Sequence, residues 1–214
     1  MRKTVIALSL IVLATTTAAS AGITGFAGGT ATPGATLGPY TMTAFAPDGR
    51  PLFHDVTSVS SPLGGTINFS IPMDHVRIDD GWATWSHGYT GDVYSTDCHT
   101  AVTMTLPAQT AAFYFYAEPD PFCRYTIVAT AQDGTQVTQG VNGYAGAAYY
   151  GFYGTAGSYI STIAVTTPQH VGFAVGEFGI AKDAGCPCIP GPAGILLVTI
   201  GTGLVGHLRR RRAL

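Results

Sequence analysis

Between residues 39 and 181 the apolar positions recur with a period of two and almost nowhere with a period of 3.6. Ala101–Leu106 is the cleanest instance: Val102, Met104 and Leu106 fall on one face, Thr103 and Thr105 on the other, the pattern of a half-buried strand. Tyr40–Phe45 and Thr66–Ile71 alternate in the same way. Ala111–Tyr116 is a continuous, largely aromatic run, which predicts a strand buried on at least one face. Tyr125–Ala131 and Thr135–Val141 flank Gln132-Asp133-Gly134, a hairpin signal. Ala147–Tyr153, Tyr159–Val165 and Val171–Ile180 complete the set. No amphipathic helical series and no capping box opens a long helix. Short strands separated by Gly, Pro and Asp turns predict an all-β protein with a single sandwich of the jelly-roll kind. The small-residue stretch 22–38 is expected to be a flexible lead-in to a β-sandwich at 39–181, and residues 182–188 a linker.

The two ends have a different character. Arg2 and Lys3 precede an apolar run from Val5 to Ala14, and Ala19-Ser20-Ala21 offers small residues before Gly22. This is the layout of a secretory signal peptide over residues 1–21, with cleavage between Ala21 and Gly22. At the far end, Ile189, Pro190, Pro192 and Ala193 lead into an apolar stretch from Gly194 to Leu208, which runs into Arg209, Arg210, Arg211 and Arg212. As a helix at ~1.5 Å per residue that stretch reaches roughly 22 Å, less than the ~30 Å hydrocarbon core. Snorkelling arginines make up the difference, and a basic cluster stays on the cytoplasmic side.

A Pro motif, a short transmembrane helix and an arginine tail together resemble the tripartite PEP-CTERM sorting signals of Gram-negative bacteria, here over residues 189–214. The variant with Val-Pro-x-Pro-Ala in place of Pro-Glu-Pro is the nearest, and Gly191 stands where its commonest form has Glu. The resemblance implies an inner-membrane intermediate held by the C-terminal helix, then cleavage by an exosortase-type transpeptidase. The cell surface or an exopolysaccharide matrix is then the destination, with signal peptidase and the sorting enzyme as partners. A second resemblance covers roughly residues 40–180. Trp82 to Asp92, Ala117-Glu118-Pro119, Gln132-Asp133-Gly134-Thr135, Val141-Asn142-Gly143, Gly151-Phe152-Tyr153-Gly154 and Glu177-Phe178-Gly179-Ile180 are similar to PEP-CTERM ectodomains, jelly-roll modules of unassigned molecular function.

Charge sharpens this division. Residues 1–21 carry +2, residues 22–188 carry −8 and residues 189–214 carry +4, although the whole chain sums to only −2. So acidic a body argues against nucleic acid as a partner, and it favours a polysaccharide that is neutral or bridged by cations.

Candidate chemistry within the body is sparse. Export places the cysteines in an oxidising compartment, where Cys98 and Cys123 are expected to form a disulfide closing about 25 residues; Cys186 and Cys188 have no assigned role. Asp74, His75, Asp79, Asp80, His87 and Asp92 make the densest polar patch, but it lacks the spacing of a calcium loop. No metal and no cofactor is expected. Ser86, His87 and Asp92 assemble a triad only on paper, because neighbours on a strand point to opposite faces. Glu118 and Glu177 are the body's only glutamates, and the sequence does not say whether they face one cleft. No hydrolase motif is present, and the body reads as non-catalytic. Tyr149, Tyr153, Trp82 and Trp85 are the candidates for a sugar-stacking face, since aromatic rings on a jelly roll suit a lectin-like module.

Overall fold

The computed structural model describes residues 21–183. Among them every regular element is a strand. The first seven are β1 (Gly22–Gly29), β2 (Thr36–Leu37), β3 (Tyr40–Thr41), β4 (Thr43–Ala44), β5 (His54–Ser60), β6 (Thr66–Ile78) and β7 (Gly81–Trp82). The other eight are β8 (Asp92–Ser95), β9 (Ala101–Thr105), β10 (Thr110–Pro119), β11 (Arg124–Ala131), β12 (Gln136–Asn142), β13 (Ala148–Thr155), β14 (Thr162–Thr166) and β15 (Phe173–Lys182). The expected signal peptide, the expected sorting signal at 189–214 and Cys186 and Cys188 lie outside the described residues, apart from Ala21 and Gly22 beside the expected cut.

One sheet runs through the order β1-β13-β10-β15-β8-β6-β9-β14-β11-β12 and folds on itself as a nearly closed sandwich. Strand β6 makes the fold possible. Asp74–Val76 pair with β8, whereas Asn68 and Phe69 pair with β9, so the two ends of one 13-residue strand serve two layers. Pro72 sits between these halves, where its missing N–H interrupts the ladder at a point that bends in any case. Strand β5 follows β6 around the corner through an irregularity between Val56 and Ser58. The two ends of the sheet, β1 and β12, meet without a backbone ladder. Ile23 N–H donates to Asp133 Oδ2 at 3.0 Å, Gly29 N–H donates to Gln139 Oε1 at 3.1 Å, and the Thr135 hydroxyl donates to Ile23 C=O at 3.1 Å.

The period-two pattern fills the interior. Ile67, Phe69 and Met73 from β6, Val102 and Met104 from β9, and Phe113 and Phe115 from β10 lie in one core with Tyr150 and Phe152. A second, smaller core covers the outer face of the β10 side. There Val76, Ile78, Tyr114, Tyr116 and Tyr149 are packed under Trp82, Trp85 and Leu37. Strand β10 is therefore buried on both faces along its whole length, as its unbroken apolar run predicts.

Two expectations need correction. Residues 22–29 are not a flexible lead-in but the edge strand β1, paired with β13 from Gly22↔Thr155 to Gly29↔Tyr149. Their glycines, which read as linker composition, permit close packing: a Cβ at Gly25 would lie 2.6 Å from Val137 Cγ2. Cys98 and Cys123 are free, exposed thiols, so the expected disulfide is absent. Each lies in a turn closed by its own local bonds, Cys98 between Thr96 and His99 and Cys123 between Pro121 C=O and Gly143. Strands β5 and β8 escaped the sequence reading altogether, while Tyr40–Phe45 is divided between β3 and β4.

Candidate binding groove

Strand β13 alternates Tyr150 and Phe152 into the main core against Tyr149 and Tyr153 on the outer face. The two outward tyrosines, together with Phe26 from β1, line a groove of about 450 Å³. Its opposite wall is the segment from Ala31 to Gly38, including Thr32, Thr36 and Leu37. Glycines let the backbone lie against the rings. At Gly38, whose φ is +57°, a Cβ would stand 2.7–2.9 Å from the Tyr153 ring, and at Gly28 it would stand 2.9–3.0 Å from Tyr149.

The rings are held from behind. Tyr149 stacks on Tyr114 at 5.2 Å and meets Tyr116 and Phe26 edge-on at 5.4 and 6.0 Å. The Tyr116 hydroxyl donates to Ala31 C=O and the Tyr40 hydroxyl to Gly154 C=O, which anchors the opposite wall. Phe26 is 54% exposed, an open aromatic face at the rim.

Trp82 and Trp85, expected on the same face as the tyrosines, are 8% and 5% exposed and belong to the smaller core that also holds Tyr149. The Trp82 indole N–H donates to Glu118 Oε2 at 2.9 Å and that of Trp85 to Glu177 Oε2 at 3.1 Å. Their indoles thus donate to Glu118, which is buried, and to Glu177, which is half-buried. Glu118 Oε1 also accepts from Gly146 N–H at 3.0 Å and from the Thr84 hydroxyl at 3.4 Å. Burial raises the pKa of Glu118 against the lowering effect of these donors. So enclosed a carboxylate joins the segments of Trp82, Thr84 and Gly146.

Glu177 reaches this layer through a local irregularity in β15. Phe173 and Val175 point into the main core, and so do Phe178 and Ile180. The three-residue step between Val175 and Phe178 needs one extra residue, which Glu177 accommodates at φ +51°. Its Oε1 lies 2.8 Å from His87 Nε2. The His87 Nδ1 lies 2.9 Å from the Ser86 hydroxyl and 3.3 Å from Thr30 C=O. Ser86 and His87 therefore do meet, contrary to the expectation from strand geometry. They occupy a turn in which His87 has φ +42°, not a strand. The third member is Glu177 instead of Asp92, which is taken by the Arg77 guanidinium at 2.7 and 3.0 Å and by Asp48 N–H at 2.7 Å. Ser86 is 2% exposed, so its hydroxyl is closed to a substrate.

The polar patch disperses in the same way. His75 stacks on Tyr94 with Nε2 3.3 Å from Asp92, His87 belongs to Glu177, and Asp79 and Asp80 form the turn before β7. Burial, then Asp97 and Asp55, raise the pKa of Asp74. Among the described residues no three His, Cys, Asp or Glu side chains are grouped to hold a metal ion. Sequence reasoning missed Phe26, concealed in glycine-rich surroundings, and the bulge at Glu177, which has no period of its own.

No family model matches the chain, and no curated protein matches it. Among solved structures it is similar, at 9% identity and a TM-score of 0.31, to the CBM22-1 and GH10 modules of a Clostridium thermocellum endo-1,4-β-D-xylanase complexed with xylohexaose. The match covers 52% of this chain and 25% of that one. A likeness of that size leaves function to be argued from the groove itself.

Proposed function

We propose that this chain is an exported, non-catalytic protein of the cell surface or extracellular matrix whose jelly-roll-like β domain binds a neutral saccharide. The observation that carries the binding reading is the groove of Phe26, Tyr149 and Tyr153. Flat aromatic faces complement the apolar C–H faces of a sugar ring. The half-buried Tyr153 makes no hydrogen bond through its hydroxyl within the described residues, so that hydroxyl is available to sugar hydroxyls, whereas Tyr149, 6% exposed, backs the groove. A mostly apolar concavity with a few convergent polar groups is the ordinary form of a small-molecule site. The −8 charge of residues 22–188 favours a neutral chain over an anionic one.

The addresses support export. Signal peptidase removes residues 1–21, and an exosortase-type enzyme cuts near Ile189–Ala193 after the C-terminal helix has held the intermediate in the membrane. Intact mass of the surface form tests this: a chain still ending at Leu214 in a host with an active sorting system contradicts it. Hydrolysis is less well served, because the Ser86 hydroxyl is enclosed. A glycan array on Gly22–Asp183 tests binding. Signals confined to neutral glycans are expected, and a blank array returns the tyrosines to packing alone.

A further inference from the structure

A second cavity, of about 230 Å³, lies on the other side of Tyr114 from the groove. Five aromatic side chains line it: Phe45, Tyr89, Tyr94, Tyr114 and Phe178. They form a fixed cage, since Tyr94 stacks on Phe178 at 5.7 Å and Phe45 meets Phe178 edge-on at 5.6 Å. Two carboxylates, Asp92 and Glu177, share the lining, and no basic side chain does. Arg77 and His75 stand with Asp92, and His87 with Glu177.

Hydrogen bonding distinguishes the walls. The Tyr89 hydroxyl donates to Asp92 C=O and that of Tyr94 to Asp48 Oδ2. Tyr114 is 4% exposed, and its hydroxyl has no partner among the described residues. The Tyr114 ring lines the cavity, so its oxygen is offered to whatever enters. Gly179 makes room for the ring, since a Cβ there would lie 2.1 Å from Tyr114 Cε1.

We propose that this cavity binds a primary ammonium group, as carried by an amino sugar or a polyamine. Aromatic faces attract a cation through their quadrupoles, and Glu177 supplies the opposite charge. The unpaired Tyr114 oxygen accepts one N–H, which a quaternary ammonium does not have. Burial raises the pKa of Glu177, and a cation beside it would offset the cost of keeping that carboxylate ionised. The cavity is separate from the saccharide groove, and the proposal does not rest on it.

Calorimetric titration of the purified chain with glucosamine, N-acetylglucosamine and putrescine tests the assignment, at a pH where the amines are protonated. Glucosamine or putrescine should bind at least ~10-fold more tightly than N-acetylglucosamine, which has lost its charge. The tighter of the two amines identifies the source. Glu177→Gln should weaken amine binding by about 10-fold. Tyr114→Phe, which removes only an unbonded hydroxyl and keeps the fold testable, should weaken it by about 5-fold. Phe122→Ala, at an exposed ring that lines neither cavity, should leave it unchanged. Equal affinity for glucosamine and its N-acetyl form, absence of amine binding, or amine affinity unmoved by Tyr114→Phe would overturn the proposal.

Discussion

Glu118→Ala tests the reading of the buried polar layer most severely. In the folded chain one carboxylate accepts from the Trp82 indole at 2.9 Å and from Gly146 N–H at 3.0 Å, both buried, with a longer bond from Thr84. Truncation to Ala leaves the first two donors without an acceptor, at about 1–3 kcal/mol each. It also removes one packed methylene, at ~0.8 kcal/mol. Against this stands relief from holding a carboxylate away from water, the effect that raises the Glu118 pKa. The net expectation is a loss of about 3 kcal/mol, a large share of the ~5–15 kcal/mol that holds an ordinary domain together. For a chain of this size that corresponds to a Tm lower by roughly 6–12 °C. Urea unfolding of Gly22–Asp183 at neutral pH, followed by tryptophan fluorescence and far-UV circular dichroism, measures it. The double variant Glu118→Ala/Trp82→Phe supplies the control, because it removes one orphaned donor together with its acceptor. Its cost should fall short of the sum of the single variants by about 1 kcal/mol or more. A loss under ~1 kcal/mol for Glu118→Ala, or strict additivity in the pair, would refute the account of Glu118 as the group that joins the loops.

Three further outcomes follow from the same structure. Burial holds Glu118 and Glu177 above the ordinary glutamate value; each takes up a proton more readily in the folded than in the unfolded chain. Their contribution to stability is therefore complete below about pH 4.3 and is lost as the pH rises through the raised folded value. Glu177→Gln should flatten that fall in urea titrations stepped through the acid-to-neutral range, and an unchanged profile would contradict it. Gly179→Ala forces a methyl against Tyr114 and should cost about 1–3 kcal/mol by overpacking, read as a lower thermal midpoint; an unaltered midpoint would mean that the ring has room to move. Cys98 and Cys123 are exposed and unbridged, so native alkylation of Gly22–Asp183 should add two groups by mass, and an unmodified mass would show a bridge.

Strand-by-strand legibility followed burial. Ala101–Thr105 and Thr110–Pro119 were readable because one is half-buried and the other wholly buried, and each condition leaves a simple apolar pattern. Strand β1 was not, since its glycines serve close contact with Val137 and Tyr149, and contact of that kind resembles linker composition in one dimension. Half of the candidate face was readable too. Tyr149 and Tyr153 share a parity on β13 and fall together. Trp82 and Trp85 turned inward because two glutamates, distant in sequence, needed their indole donors. The Ser86–His87 contact depended on a left-handed residue at position 87, and the Glu177 contact on a bulge; neither leaves a periodic trace. Long-range polar pairing and single-residue backbone irregularities were the parts that periodicity could not encode.

The central claim is that the groove of Phe26, Tyr149 and Tyr153 holds a saccharide. Its most direct test is isothermal titration of Gly22–Asp183 with the best neutral oligosaccharide from the array, beside Tyr153→Ala and Phe26→Ala. Loss of one stacking ring should weaken binding by about 10-fold in each variant, with unfolding midpoints that still report a folded domain. Parent affinity retained in both folded variants would contradict the claim.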